Sequence, residues 1–431
     1  MQKKLISVSI DGLLGPKVLD DVPLFLSTQA KSAALNKFQS FKKNPQNYFS
    51  STYRQTSPQL IQIETAAQQK RQTFSNLVVL GIGGSALGAQ TLVSALGWKM
   101  PKKERPEVFF LDNLDPILIS EIFEDLDPIK TLICVVSKSG TTLETLAPLG
   151  PIWNWIKNAD TTRPSNHFVV ITDPKVGPLR KWAQDEKILS FEVPADLGGR
   201  FSAFSPVCLF PAAFAGINIH TLVEGASNFF NDSQFLEETL NPMAARLFEL
   251  EKGGFRAHSL WAYSSFLKNF SSWFVQLWGE SLGKRNFEKN RVGLIPCPGV
   301  GATDQHSFLQ RMAEGRNDIV SGFVKIQNWP EVKSGIGNSA LLPMDFKALS
   351  GVRGQSFGKI LNTEALATEI SLQELGRPTY SATLNSLDEA SVGALLAFYM
   401  DFTVVSGIYL GVNPFDQPGV ERAKALFFEH L

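Results

Sequence analysis

The sequence predicts an α/β protein with mainly parallel sheets. Three observations predict it. A buried strand at Leu77–Leu80 runs into a glycine-rich turn in the stretch LVVLGIGGSALG. Further short apolar runs alternate with helical stretches up to about residue 190. After Ala195 the pattern changes, and a second series of strands and helices follows.

The elements can be justified in order. Residues 1 to about 50 are polar and mixed. Ser51 to Phe74 reads as one amphipathic helix. Strands follow at Leu77–Leu80, Val108–Leu111, Thr131–Val136 and His167–Ile171, with helical stretches after Ser85, Pro116, Thr141 and Pro178. Parallel strands joined by helical crossovers place ligands at the carboxyl ends of the strands. Those ends are Gly81, Asp112, Ser137 and Thr172, all small or polar. A glycine-arginine turn, DLGGRFS, then leads into the apolar helix SPVCLFPAAFAG, and the domain boundary is placed there. The second pattern has strands at Ser259–Tyr263, Gly293–Pro296 and Ile319–Ile326, a helix at Phe266–Trp278 and a long apolar helix at Leu387–Gly407. The expected division is an N-terminal helical segment, 1–53, packed on the C-terminal domain, a first domain, 54–203, and a second, 204–431.

Composition narrows the function classes. The chain has 431 residues, enough for two or three domains with sizeable cores. Lys plus Arg and Asp plus Glu both number 41, so the formal charge is zero, which counts against nucleic acid and anionic membranes as partners. No apolar run reads as a membrane span, and the N-terminal apolar stretch is too short and polar for a signal peptide. The cysteines, Cys134, Cys208 and Cys297, are far apart in apolar strings and read as reduced core residues, which suggests a cytoplasmic setting. The five histidines show no metal-ligand spacing.

Two turns carry the chemistry. At the first, glycines let the backbone approach a ligand, and Ser85 stands where a new helix offers free N–H groups. Gly81, Gly83 and Ala86 fit a loose dinucleotide fingerprint with Asp112 as the ribose acid, but a plain strand-to-helix turn fits as well. The second loop, VVSKSGTTLET (135–145), offers the hydroxyls of Ser137, Ser139, Thr141 and Thr142, the permissive Gly140, and a helix N-terminus. That set suits a phosphate monoester; a helix cap would need only one or two hydroxyls. A dinucleotide enzyme does not need this second loop, so the balance moves to a phosphorylated small substrate.

Taken in order, GIGGSALG, SKSGTTLET, LGGRFSAFSPV, WGESLGK, GATDQHS and NPFDQPGVERAK resemble the phosphoglucose isomerase family in its shorter bacterial form, within the sugar-isomerase superfamily. The resemblance implies two sugar-isomerase-type α/β/α sandwich domains in a homodimer. It implies interconversion of glucose 6-phosphate and fructose 6-phosphate, a step of glycolysis and gluconeogenesis, by ring opening and proton transfer through a cis-enediol(ate). No metal or redox cofactor is implied.

By the same resemblance Glu280 is the base that moves the proton between C2 and C1, a role suited to a carboxylate partly shielded from water. Arg200 is the cation that stabilises the enediolate oxygens. His306 serves ring opening, reaching the active site of the neighbouring subunit, with Glu144 orienting it and Lys424 near the ring oxygen. The substrate-binding set is Gly84, Ser85, Ser137, Lys138, Ser139, Thr141, Thr142, Glu144 and Gln417. Rival readings are an isomerase that also takes mannose 6-phosphate and a non-catalytic sugar-phosphate sensor. The sensor reading usually brings a DNA-binding helix-turn-helix and a basic patch, neither of which is visible.

Overall fold

The apolar runs read from the sequence become strands of two five-stranded sheets, and the α/β expectation holds. The structure is a computed structural model; it describes residues 4–44, 58–160, 162–194, 196–331, 337, 339–340 and 347–430. The chain divides into two units, Gln39–Asn228 and Met1–Phe38 together with Phe229–Leu431.

Strand β1 (Ile6–Ser9) belongs to the second of these units. The first unit holds β2 (Asn76–Leu80), β3 (Glu107–Leu111), β4 (Thr131–Ser137), β5 (Phe168–Thr172) and β6 (Leu189–Glu192). Their order is β3-β2-β4-β5-β6, and every pairing is parallel. All seven residues of β4 are buried, as a central strand covered on both faces requires. From β2 the chain steps outward to β3, then returns past β2 and runs the other way through β4 to β6. The topological switch point therefore lies between β2 and β4, the place where open parallel sheets bind ligands at the carboxyl ends of their strands. Those two ends carry the glycine turn and the hydroxyl loop.

The boundary expected between 203 and 204 falls inside the turn Gly199–Phe204, and the first unit runs on to Asn228. The reason lies in helix Pro206–Phe214. Every one of its residues is buried, so it has no solvent face to start a new domain. It packs back on helices Pro58–Arg71 and Leu87–Leu96. The first of those occupies part of the helix expected at Ser51–Phe74; residues 51–57 lie outside the described residues.

The second unit holds β7 (Ala257–Ala262), β8 (Lys284–Arg285), β9 (Arg291–Val292), β10 (Ile295–Val300), β11 (Ile319–Asn328) and β12 (Thr379–Ser386). The main sheet runs β1-β12-β11-β7-β10, parallel except for β1, which pairs antiparallel with β12. The β8–β9 ribbon stands apart from it. The N-terminal segment is thus partly strand. It is also held by helix Asn241–Lys252 through a buried ion pair, Arg246–Glu249 at 3.3 Å. Arg246 donates to the carbonyls of Leu13, Val18 and Val22, and Glu249 accepts from the N–H groups of Phe25 and Leu26. Both charges are hydrogen-bonded, the condition under which a buried pair is tolerated.

Helix Glu389–Leu410 fills the core of this unit. By length and composition it could cross a membrane, but 94% of its most apolar window is buried inside the protein. Asp388 caps its first turn by accepting from Ser391 N–H, and Gly411, at φ +69°, ends it in the left-handed conformation.

Candidate active site

In the first unit, Gly83–Ser85 forms a single tight turn, and the next helix starts at Leu87. Ser85 therefore stands two residues before the helix rather than at its N-terminus. Gly84 has a different role from backbone freedom. A Cβ on it would lie 2.3 Å from the Gly199 carbonyl carbon and 2.7 Å from Arg200 N. The glycine turn and the glycine-arginine turn are thus in backbone contact. Ser202 Oγ locks them, donating toward Gly84 O at 3.0 Å and Gly199 O at 2.6 Å. This places Arg200, 2% exposed, beside the first turn with its guanidinium 5.6 Å from the Phe201 ring centroid. Arg200 is thus a buried charge rather than a solvated surface one. Asp112, the ribose acid of the dinucleotide reading, accepts instead from Gln90 Nε2 at 2.8 Å.

The hydroxyl loop follows β4. Ser137 is buried; its Oγ shares a hydrogen bond of 2.9 Å with Thr142 Oγ1 and accepts from Gly140 N–H. Thr142 occupies the N-cap position of helix Leu143–Leu146, yet its hydroxyl makes no capping bond. The cap alternative therefore does not account for it. Ser139 and Thr141 are exposed and bonded to each other at 3.0 Å. Gly140 takes φ +68°, with Leu179 Cβ 3.2 Å from where its own Cβ would be. Thr172, at the end of β5, donates to Ser137 O at 2.7 Å, tying the loop to the next strand. Four hydroxyls are thus present in two pairs, an inner pair that shapes the loop and an outer pair that faces solvent. Lys138 reaches across to donate to Leu197 O at 2.9 Å. Partial burial lowers its pKa, while Asp196 and Asp173 oppose that shift. Glu144 is half-buried in the first turn of the short helix.

In the second unit, Glu280 lies near the end of helix Lys268–Leu282, a little longer than the helix expected at Phe266–Trp278. It is half-buried, and its Oε1 accepts from Gln276 Nε2 at 3.1 Å. The aromatics Trp273, Phe274 and Trp278 are buried in the core. Glu280 lines a pocket of about 740 Å³ together with Gln417, Lys284, Arg285, Arg291 and Val292. Two expected site residues far apart in sequence, Glu280 and Gln417, thus share one cavity.

His306 ends the turn Thr303–His306 that follows β10. Its neighbours are committed to structure. Asp304 accepts from Val300 N–H at 2.7 Å, and Gln305 donates to Tyr263 OH at 2.8 Å and to Thr368 Oγ1 at 2.9 Å. The His306 side chain is exposed and has no hydrogen-bond partner among the described residues. The helix that carries Glu280 lies antiparallel along β10, with Ser271 against Gly299 and Gly279 against Pro296. Glu280 and His306 are therefore at opposite ends of β10, separated by about 13 Å of strand at ~3.3 Å per residue. Lys424 belongs to helix Glu421–His430, but its side chain lies outside the described residues.

A sequence profile described as Phosphoglucose isomerase matches residues 53–429. The chain belongs to the phosphoglucose isomerase family. It is 38% identical over 381 residues to a glucose-6-phosphate isomerase of Thermus thermophilus, covering 85% of this chain and 88% of that one. It is 34% identical over 382 residues to the glucose-6-phosphate isomerase of Carboxydothermus hydrogenoformans, covering 85% and 81%. Among solved structures, a hypothetical protein of Thermus thermophilus superposes with a TM-score of 0.88 at 32% identity, covering 99% of both chains. A glucose-6-phosphate isomerase from Chlamydia trachomatis shares the fold, with a TM-score of 0.80 at 22% identity, covering 99% of this chain and 88% of that one.

In this member of the phosphoglucose isomerase family, sequence reasoning missed two elements of the site. One is the Gly84–Gly199 contact, which nothing in either turn announces alone. The other is Lys284, whose ammonium is bonded to the turn before Gln417. Its sequence signal is its place as the last residue of WGESLGK, four residues after Glu280, which by itself gives it no partner. Of the three cysteines read as core residues, Cys134 and Cys208 are buried, and burial pushes the Cys208 pKa up to about 12, which keeps it an inert thiol; Cys297, on β10, is only half-buried.

Proposed function

We propose that this chain catalyses the reversible isomerisation of glucose 6-phosphate and fructose 6-phosphate, as a cytoplasmic homodimer. The observation that carries the reading is Glu280, half-buried beside Gln417 in a 740 Å³ pocket of a phosphoglucose isomerase family chain. The phosphate binds at the switch point between β2 and β4, on Ser139, Thr141 and Thr142 and the loop N–H groups, with Gly84, Ser85 and Lys138 flanking it. Ser137 and Gly140 hold the loop in shape. Glu280 takes the proton from one of C1 and C2 and returns it to the other. Arg200, a permanent charge fixed by its turn, stabilises the enediolate oxygen. Lys424 and His306 serve ring opening, and Glu144 orients the imidazole.

The position of His306 supports a site completed by a second copy. An exposed histidine at the far end of β10 from Glu280 favours a role in the site of a neighbouring subunit over one in its own.

The test is a coupled assay of purified protein with fructose 6-phosphate, following glucose 6-phosphate with chelator present. Turnover on the order of 1–10³ s⁻¹ is expected. No turnover, with sugar phosphate still raising the melting temperature, would overturn the reading in favour of a sensor.

A further inference from the structure

We propose that Lys284 is a positioning residue: it holds the turn Asn413–Asp416, and with it Gln417, against the end of the helix that carries Glu280. The inference rests on the isomerase reading above. Lys284 stands just past that helix, after Gly283. Its backbone is fixed because it pairs with Val292 in the β8–β9 ribbon. Its side chain is only 10% exposed. From this base Nζ donates to Asn413 O at 2.8 Å, to Asp416 O at 2.6 Å and to Asp416 Oδ1 at 2.7 Å.

The turn it grips is braced from within. Asn413 Nδ2 donates to Asp416 Oδ2 at 3.1 Å, and Asn413 Oδ1 accepts from Phe415 N–H at 3.1 Å. A second tether joins the same two segments, since Phe287 N–H donates to Gly411 O at 3.0 Å. Residue 417 follows directly and lines the pocket with Glu280. Without the lysine, two backbone carbonyls of the turn would lose their charged donor. The wall of the pocket that carries Gln417 would then lose its charged anchor to the end of the helix that carries Glu280.

The chemistry explains a lysine here. Three acceptors converge on one point, and a compact ammonium has three rotatable donors to meet them. A planar guanidinium forks outward and cannot. The charge is also engaged by Asp416, so Lys284 lines the pocket without offering its ammonium to a ligand. Its effect on the reaction passes through the residues it places.

The experiment uses the full-length protein and the fructose 6-phosphate assay. Variants are Lys284→Met, Lys284→Arg, Gln417→Ala and the Lys284→Met/Gln417→Ala double variant, each with thermal unfolding and amide hydrogen exchange at Phe415 and Gln417. Displacing a site residue by about 1 Å can cost ~10²-fold in rate, so Lys284→Met is expected to lower kcat by about 10–100-fold. Exchange at Phe415 and Gln417 should quicken, and Lys284→Arg should restore less than half of the lost rate. In the Gln417→Ala background the same change should cost less than about threefold more, because the placed residue is already gone. A kcat within twofold of wild type, unchanged exchange, or full additivity with Gln417→Ala would each overturn the proposal. If Lys284→Met does not fold, Asp416→Asn replaces it. That variant weakens one of the three contacts, and an unchanged kcat would overturn the proposal equally. A wild-type protein inactive on fructose 6-phosphate would sink the isomerase reading instead, leaving the exchange comparison as the test of the clamp.

Discussion

Adding one methyl group at Gly84 should disable the proposed transition-state cation without touching it. A Cβ there would lie 2.3 Å from the Gly199 carbonyl carbon, 2.6 Å from Gly199 O and 2.7 Å from Arg200 N. All three atoms are backbone, so no side chain can swing aside. Ordinary contact starts at 3.4 Å, so the turn must retreat by about 1 Å. Arg200 moves with it, because its own N is among the displaced atoms. A 1 Å misplacement costs ~10²-fold in rate, about 2.7 kcal/mol of transition-state stabilisation. The overpacking should also destabilise the fold by about 1–3 kcal/mol. Gly199→Ala is the control: its Cβ would meet Gly84 Cα at 3.4 Å, an ordinary contact. The assay is kcat on fructose 6-phosphate for both variants, with thermal unfolding alongside. Gly84→Ala turning over within threefold of wild type, or Gly199→Ala losing as much as Gly84→Ala, would refute the reasoning.

Three further outcomes are expected. Glu280→Gln should lower kcat by about 10²–10⁴-fold while leaving the affinity for a phosphorylated inhibitor within a few-fold; near-normal turnover would remove Glu280 as the base. Ser137→Ala removes the partner of Thr142 and of Gly140 N–H, worth about 1–1.5 kcal/mol, so the inhibition constant of a phosphorylated competitor should rise about 5–12-fold. An unchanged constant would put the phosphate elsewhere. His258 is wholly buried, with Nε2 bonded to Tyr380 OH at 2.8 Å, and burial lowers its pKa from 6.5 to about 3. Above pH 6.5 both folded and unfolded chains hold it neutral. As pH falls from 6.5 toward 3 only the unfolded chain takes the proton, so stability falls over that window. Urea midpoints at pH 7.5 and pH 5 should converge in His258→Gln, and a variant that keeps the wild-type difference would assign the acid sensitivity to other groups.

The strands and loops of the proposed phosphate site were the more legible part of the chain. Strands β2, β4 and β5 read as unbroken apolar runs because both of their faces are covered. Their ends carry glycine and hydroxyl residues whose purpose is local. The strands missed were β1, β6 and β12 of the main sheets and both two-residue strands of the β8–β9 ribbon. Strands β1 and β6 are only four residues long and sit at sheet edges, while β12 mixes polar residues into its run. The domain boundary was misplaced because the all-apolar helix Pro206–Phe214 has no periodicity to show which core it enters.

The sequence by itself determined the fold class and the family, and it nominated the side chains proposed to react, because strand periodicity, loop chemistry and motif order are all local in the chain. Tertiary structure alone decided what those residues do to one another. It brought Gln417 into the pocket of Glu280 and set Gly84 against Gly199. It turned Lys284 onto the Asn413–Asp416 turn, and left His306 exposed at the far end of β10. Each of these is a contact or separation between segments distant in sequence. Such relations arise from how helices and strands pack, and no local pattern of residues encodes them.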